Sequence, residues 1–232
     1  MRPTRVGRRP GRPSRTVSAS YDVPVSTTAN RAERISRRQV DKFAGRRREL
    51  ADAAIQTLSE LGYARTSLRE IAQNSAFSLG VLHYYFADKV DLITCCVGQY
   101  KAHCVQRYDQ IVAEARTADG LAAGFAEGLA TTLHAEAKLH RLWYDLRSQA
   151  QFDESFRKDV LEIDASLEKM IWRIVSRYAQ LVGVQPQVTS STAYAMFDGV
   201  FQQALLRLIA GQETAPDDLR SESVRLLRLV VR

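Results

Sequence analysis

Residues 66–89, TSLREIAQNSAFSLGVLHYYFADK, contain two helix starts in close succession. Ser67-Leu68-Arg69-Glu70 has the form of a capping box, in which the Ser67 hydroxyl meets the Glu70 amide and the Glu70 carboxylate reaches back. Leu68, Ile71 and Ala72 then share one face of a helix of one to two turns. Asn74-Ser75-Ala76-Phe77 reads as a turn, and Ser78 caps a second short helix, Leu79–Phe86. Leu82 and Phe86 form its inward side, leaving Gly80, His83, Tyr84 and Lys89 outward. Two short helices joined by a tight turn make a helix-turn-helix, whose second helix is narrow enough for a DNA major groove.

The flanks carry the same period. Before the motif, Leu50, Ala54, Ile55, Leu58 and Leu61 recur every three or four residues, and Gly62 can close that helix in the left-handed conformation. After it, Leu139, Leu142, Trp143, Leu146 and Ala150 mark one helix. Phe156, Val160, Ile163, Leu167, Met170, Ile171, Ile174, Tyr178 and Leu181 continue a longer one for about seven turns. Prolines stand only at 3, 10, 13, 24, 186 and 216, so the long gap between Pro24 and Pro186 favours helix throughout. No sustained period-two alternation occurs, and Asp198-Gly199 falls inside the helical run Ala193–Ala210. The expectation is an all-α fold of about nine helices.

Arg47–Lys89 resembles the DNA-binding domain of the TetR/AcrR family of bacterial transcriptional regulators. The resemblance rests on Ala54 through Leu58, Gly62-Tyr63, Thr66-Ser67-Leu68, Ile71-Ala72, Ser78, Gly80, Leu82, Tyr85-Phe86 and Lys89. Ala76, Phe77 and His83 depart from the family's usual Gly, Val and Tyr. Outside this segment the likeness is in length and helicity, with a faint echo in Ala195–Gln203. The resemblance implies that Thr66, Ser67, Tyr85 and Lys89 hold phosphates, with amides at helix starts such as that of Ser78 assisting. It also implies that Leu79, Gly80, Val81, His83 and Tyr84 meet base edges. The first three have no polar side-chain group, so they can touch thymine methyls but not pair with guanine.

Charge is distributed unevenly. Residues 1–48 contain 14 Lys/Arg and three acids, a balance of +11 against +7 for the whole chain, which leaves −4 for the rest. A basic end on a mildly acidic body suggests a polyanionic partner. Residues 1–30 are rich in Pro, Ser, Thr and Arg, and residues 1–42 read as a disordered basic arm. Within it, Arg8-Arg9-Pro10-Gly11-Arg12-Pro13 approaches an AT-hook, with Arg9 and Arg12 as minor-groove candidates beside the plainer reading of a solvated basic tail. Residues 43–89 are then the DNA-binding domain and 90–232 a helical effector-binding and dimerisation domain. No run of about 18–20 apolar residues and no signal-peptide pattern occur, so a cytoplasmic, nucleoid-associated protein with no membrane partner is expected.

Cys95, Cys96 and Cys104 read as small packed residues, with a thiol switch as the alternative and no metal site. No catalytic signature is present: four scattered histidines accompany neither a phosphate-binding glycine loop nor HExxH nor GxSxG. The expectation is therefore no enzyme and no cofactor. Aromatic side chains concentrate in the second half, where the family encloses a ligand pocket. Trp143, Tyr144, Arg147, Phe156, Trp172, Phe197 and Asp198 are the candidate contacts of a small-molecule effector. Arg147 and Asp198 could equally be a buried ion pair. Ala193, Met196, Val200 and Ala204 on one helix, and Leu219, Leu226 and Val230 on the last, suit a four-helix homodimer interface. Together these readings describe a dimeric repressor that binds a palindromic double-stranded DNA operator and responds to an effector. The alternatives are a DNA-organising protein of low specificity held by its arm, and a thiol-based regulator.

Overall fold

The computed structural model describes the backbone of residues 26–231 and side chains from residue 37 onward. All regular elements among the described residues are helical: α1 (Ser26–Leu61), α2 (Leu68–Gln73), α3 (Leu79–Tyr85), α4 (Lys89–Glu114), α5 (Ala118–Ala135), α6 (Ala137–Gln149), α7 (Arg157–Val182), α8 (Ser190–Ile209) and α9 (Ala215–Leu229). A single 3-10 turn, Glu154–Phe156, precedes α7. None of the described helices is long and apolar enough to cross a membrane.

Local chemistry accounts for the boundaries. Side-chain oxygens of Ser67, Ser78, Asp88, Thr117 and Thr189 each accept an amide N–H two or three residues into the helix that follows. Of the box expected at Ser67, the hydroxyl half is made, at 3.2 Å from the Glu70 amide. Gly62 ends α1 at φ 74°, a conformation that side chains with a Cβ rarely adopt.

The chain divides into two compact units, residues 1–41 and 42–232. Disorder expected through residue 42 is corrected for residues 26–42, which are helical as the first part of α1. Ala29, Ala32, Glu33 and the interspersed Arg residues favour helix locally, and there is no proline to interrupt it. Arg9, Arg12 and the hook-like motif lie outside the described residues. The boundary expected at residues 89 and 90 is not a division between compact units. One apolar core runs from Leu50, Leu82 and Phe86 through Leu92, Ile93 and Val97 to Trp143, Phe156 and Leu227.

Within residues 42–232, α4 packs along α7, α5 along α9, and α8 against both α7 and α9. Gly128 lets α4 and α5 approach closely, since a Cβ there would meet the Tyr108 ring at 3.1 Å. This packing corrects the expected dimer face. Ala193, Ala204, Leu219, Leu226 and Val230 are buried within the chain, and Met196 and Val200 are half-buried. An apolar stripe marks the side of a helix that avoids water, and here α7, α5 and the α8–α9 contact already cover it. The outward apolar residues are instead Leu206 and Ile209 on α8 and Leu229 on α9.

Candidate functional site

In the helix-turn-helix, Leu68, Ile71, Leu82 and Phe86 are buried and anchor the two short helices on α1 and α4. The turn is held by local bonds: the Asn74 side-chain amide donates to the Glu70 carbonyl at 2.8 Å, and the Phe77 amide to the Ser75 hydroxyl at 3.3 Å. Ser78, Gly80, His83 and Tyr84 form an exposed ridge, with Tyr84 72% exposed. Tyr84 stands edge-on to Tyr85, which packs against Phe43 of α1 at 4.9 Å between ring centroids.

Several expected contact residues lie elsewhere. Thr66 is buried and donates its hydroxyl to the Gly62 carbonyl at 2.6 Å, so its side chain is turned away from any phosphate. The Lys89 ammonium donates to the Tyr63 carbonyl at 3.1 Å and sits 4.0 Å over the Tyr63 ring, where it fastens the loop after α1. Leu79, Val81 and Tyr85 are half-buried against the core, leaving Gly80, His83 and Tyr84 as the open members of the base-facing set. Ser67 and Ser78 are exposed at their helix starts. Sequence reasoning passed over Phe43 and the exposed cations Arg65 and Arg69. Arg65 and Arg69 flank the Ser67 cap, a signal that the primary sequence does carry.

Arg47 locks the second short helix to α4. Its guanidinium donates to the Tyr85 carbonyl at 2.6 Å and pairs with Asp91 at 2.5 Å, while Asp91 also accepts the Ala87 amide at 3.0 Å. Burial pushes the Asp91 carboxyl up, but the Arg47 and Ala87 hydrogen bonds outweigh it and hold it below the usual carboxylate range. Two contacts tie the DNA-binding head to α6: the Tyr63 amide donates to Asp145 at 3.1 Å, and Arg141 to the Ser59 carbonyl at 3.3 Å.

The same α6 forms one wall of a cavity of about 70 Å³ bounded by α4, α5, α7 and α8. Trp143, Tyr144, Phe197 and Asp198 line it as expected. Arg147 stands behind them, paired with Asp198 at 2.6 Å and reached by Asp164 at 3.6 Å, so it belongs to an ion-pair cluster. Phe156 and Trp172 are corrections. Phe156 is core, edge-on to Tyr63 at 5.4 Å, and Trp172 lines a separate pocket with Glu168 and Arg173. Aromatic content alone does not indicate which side of a helix faces a void.

The cavity also holds polar residues that aromatic content did not indicate. Lys101, buried on α4, donates to His140 Nδ1 at 3.3 Å, which leaves the ring proton on Nε2 to face the Tyr100 oxygen at 3.1 Å. Tyr100 in turn donates to Glu136 at 2.6 Å, and Arg107 pairs with Glu136 at 2.9 Å. Burial, with Lys101 and Arg107 adding to it, pushes the His140 pKa well down, so the ring is neutral. Burial lowers the Lys101 pKa to about 8. The signal for Lys101 was present in the stripe Thr94, Val97, Lys101, Cys104, Tyr108, where one cation occupies an apolar position. Burial raises all three cysteine thiols, the direction opposite to that of a reactive thiolate.

Residues 50–94 match the family described as bacterial regulatory proteins of the tetR family. The match marks residues 50–94 as a TetR-type DNA-binding segment. The HTH-type transcriptional regulator BetI of Paraburkholderia xenovorans is 40% identical over 48 residues, which is 21% of this chain and 25% of that one. The match therefore spans about a quarter of the relative's length. A TetR-family transcriptional regulator from Rhodococcus sp. superposes with a TM-score of 0.65 at 17% identity, over 81% of this chain and 98% of that one. The regulator FadR of Bacillus subtilis, solved with stearoyl-CoA, superposes at 0.54 and 19% identity, over 77% and 95%. At these identities the TetR fold is what is shared.

Proposed function

We propose that the chain is a ligand-responsive transcriptional repressor that binds a near-palindromic operator as a homodimer. The observation that carries this reading is the exposed ridge Ser78, Gly80, His83, Tyr84 on a firmly anchored TetR-type second helix. With Leu79 and Val81 half-buried, direct base readout falls mainly to His83 and Tyr84. Phosphate contacts fall to Ser67, Ser78 and the exposed Arg65 and Arg69. Two such ridges enter successive major grooves about 34–36 Å apart. The outward faces of α8 and α9, with Leu206, Ile209 and Leu229 exposed, are the surface for the second copy.

An effector in the inner cavity acts through α6, which carries His140, Trp143 and Tyr144 on the cavity side. Asp145 and Arg141 of the same helix hold Tyr63 and Ser59 of the head. The effector changes DNA affinity only to the extent that it binds the two dimer states unequally.

Selection of bound DNA from random duplexes with the full chain tests the proposal. One half-site recurring twice, in inverted orientation and about one turn apart, is the expected result, and a His83→Ala, Tyr84→Ala variant should lose that preference. Uniform binding that is indifferent to sequence would instead favour a DNA-organising protein held by its basic arm. In that case deletion of residues 1–40 would abolish binding and flatten its salt dependence by about 0.9 log units per lost phosphate contact.

A further inference from the structure

Nearly every polar group around the cavity already has its partner. Tyr144 and Arg147 bind Asp198, and Arg107 and Tyr100 bind Glu136. Arg107 Nη1 also lacks an acceptor, but Arg107 does not line the cavity; two donors of the lining itself stand out. Lys101, 7% exposed, has a neutral imidazole nitrogen as its one hydrogen-bond partner and no carboxylate within ion-pair distance. Trp143, 1% exposed, has a buried indole Nε1 with no acceptor. Both side chains line the cavity, with the Lys101 ammonium 5.5 Å from the Trp143 ring centroid. A buried ammonium without an anion and a buried N–H without an acceptor are each costly, and both costs are removed by an oxygen anion. The remaining walls are apolar or aromatic, including Met170, Phe197 and Phe201, and the space is small.

We propose that the effector of this cavity is a small monocarboxylic acid with an apolar body, its carboxylate accepting from Lys101 Nζ and Trp143 Nε1. This rests on the regulator reading above and names the ligand class for it. Two donors satisfy one carboxylate, whereas a phosphate would leave most of its oxygens without partners. Burial lowers the Lys101 pKa to about 8, so near neutral pH the amine is still mostly protonated and can pair with the acid.

Calorimetric titration of the full-length protein with propionate, propionamide and 1-propanol compares one skeleton, small enough for this space, with and without the charge. Propionate is expected to bind roughly ten- to a hundredfold more tightly than either neutral analogue. Lys101→Met, which keeps the apolar stem, should bring propionate down to the level of propionamide. Trp143→Phe should weaken propionate severalfold. Equal affinity for the three compounds, no binding of propionate, or full propionate affinity in Lys101→Met would overturn the assignment. Should Lys101→Met fail to fold, the wild-type comparison and Trp143→Phe decide it. Gel shifts on the selected duplex separate the two readings. DNA binding without acid preference rejects the ligand class alone, and acid preference without DNA binding rejects the regulator alone.

Discussion

The DNA-binding head and the inner cavity solve opposite problems with the same residue types. In the head, apolar side chains such as Leu82 and Phe86 are buried and the polar groups of Ser78, His83 and Tyr84 stay in water or cap helix starts. Around the cavity the polar groups are the buried ones, and they are held in chains: Lys101 to His140 to Tyr100 to Glu136, and Tyr144 with Arg147 on Asp198. The head's stability is therefore apolar packing plus caps, fastened by the Arg47–Asp91 pair and the Lys89–Tyr63 bond. The cavity carries a standing electrostatic cost that a ligand can relieve.

The comparison breaks most visibly at Leu82. Leu82→Ala should destabilise the protein by about 2–5 kcal/mol in denaturant unfolding and abolish gel shifts, since the ridge loses its anchor. In the cavity the opposite sign is expected. Lys101→Met should stabilise the protein by up to about 3 kcal/mol at pH 7, because the substitution removes a buried charge and leaves only an unfilled His140 acceptor. The pH dependence follows from the lowered pKa. Between about pH 8 and the ordinary lysine value of 10.5, the unfolded chain holds a proton that the folded chain has released. Wild-type stability from this group therefore rises with pH, and the advantage of Lys101→Met shrinks to little by pH 10.5. The raised thiol of Cys104 and phenol of Tyr100 give the opposite slope in both proteins; Lys101 itself lowers the Cys104 thiol, so only the remainder cancels in the difference. A variant less stable than wild type throughout this range would mean that the Lys101–His140 bond outweighs the cost of burial. The smallest effect is at the cap: Ser78→Ala should cost about 1 kcal/mol in unfolding and weaken DNA binding, leaving propionate binding unchanged.

The head was largely legible before the fold was known. The serine caps at positions 67 and 78, the left-handed Gly62 and the inward Leu82 and Phe86 all follow from chemistry within four or five residues along the chain. Errors there arose where a group met a distant partner, as when Lys89 turned to Tyr63. In the body, apolarity located helices without showing what each face would meet. Ala193, Leu219 and Val230 were buried by neighbouring helices of the same chain, and Trp172 faced a separate pocket instead of the cavity.

Helix positions, caps and the reading ridge thus come from sequence, because backbone hydrogen bonding and amphipathic period act over a few residues. The composition of the cavity wall, the pairing of Arg147 with Asp198 and the stranded donors of Lys101 and Trp143 depend on how α4, α6 and α8 meet. Burial and long-range pairing are properties of side chains brought together from positions some forty to fifty residues apart, and spacing along the chain carries no record of them.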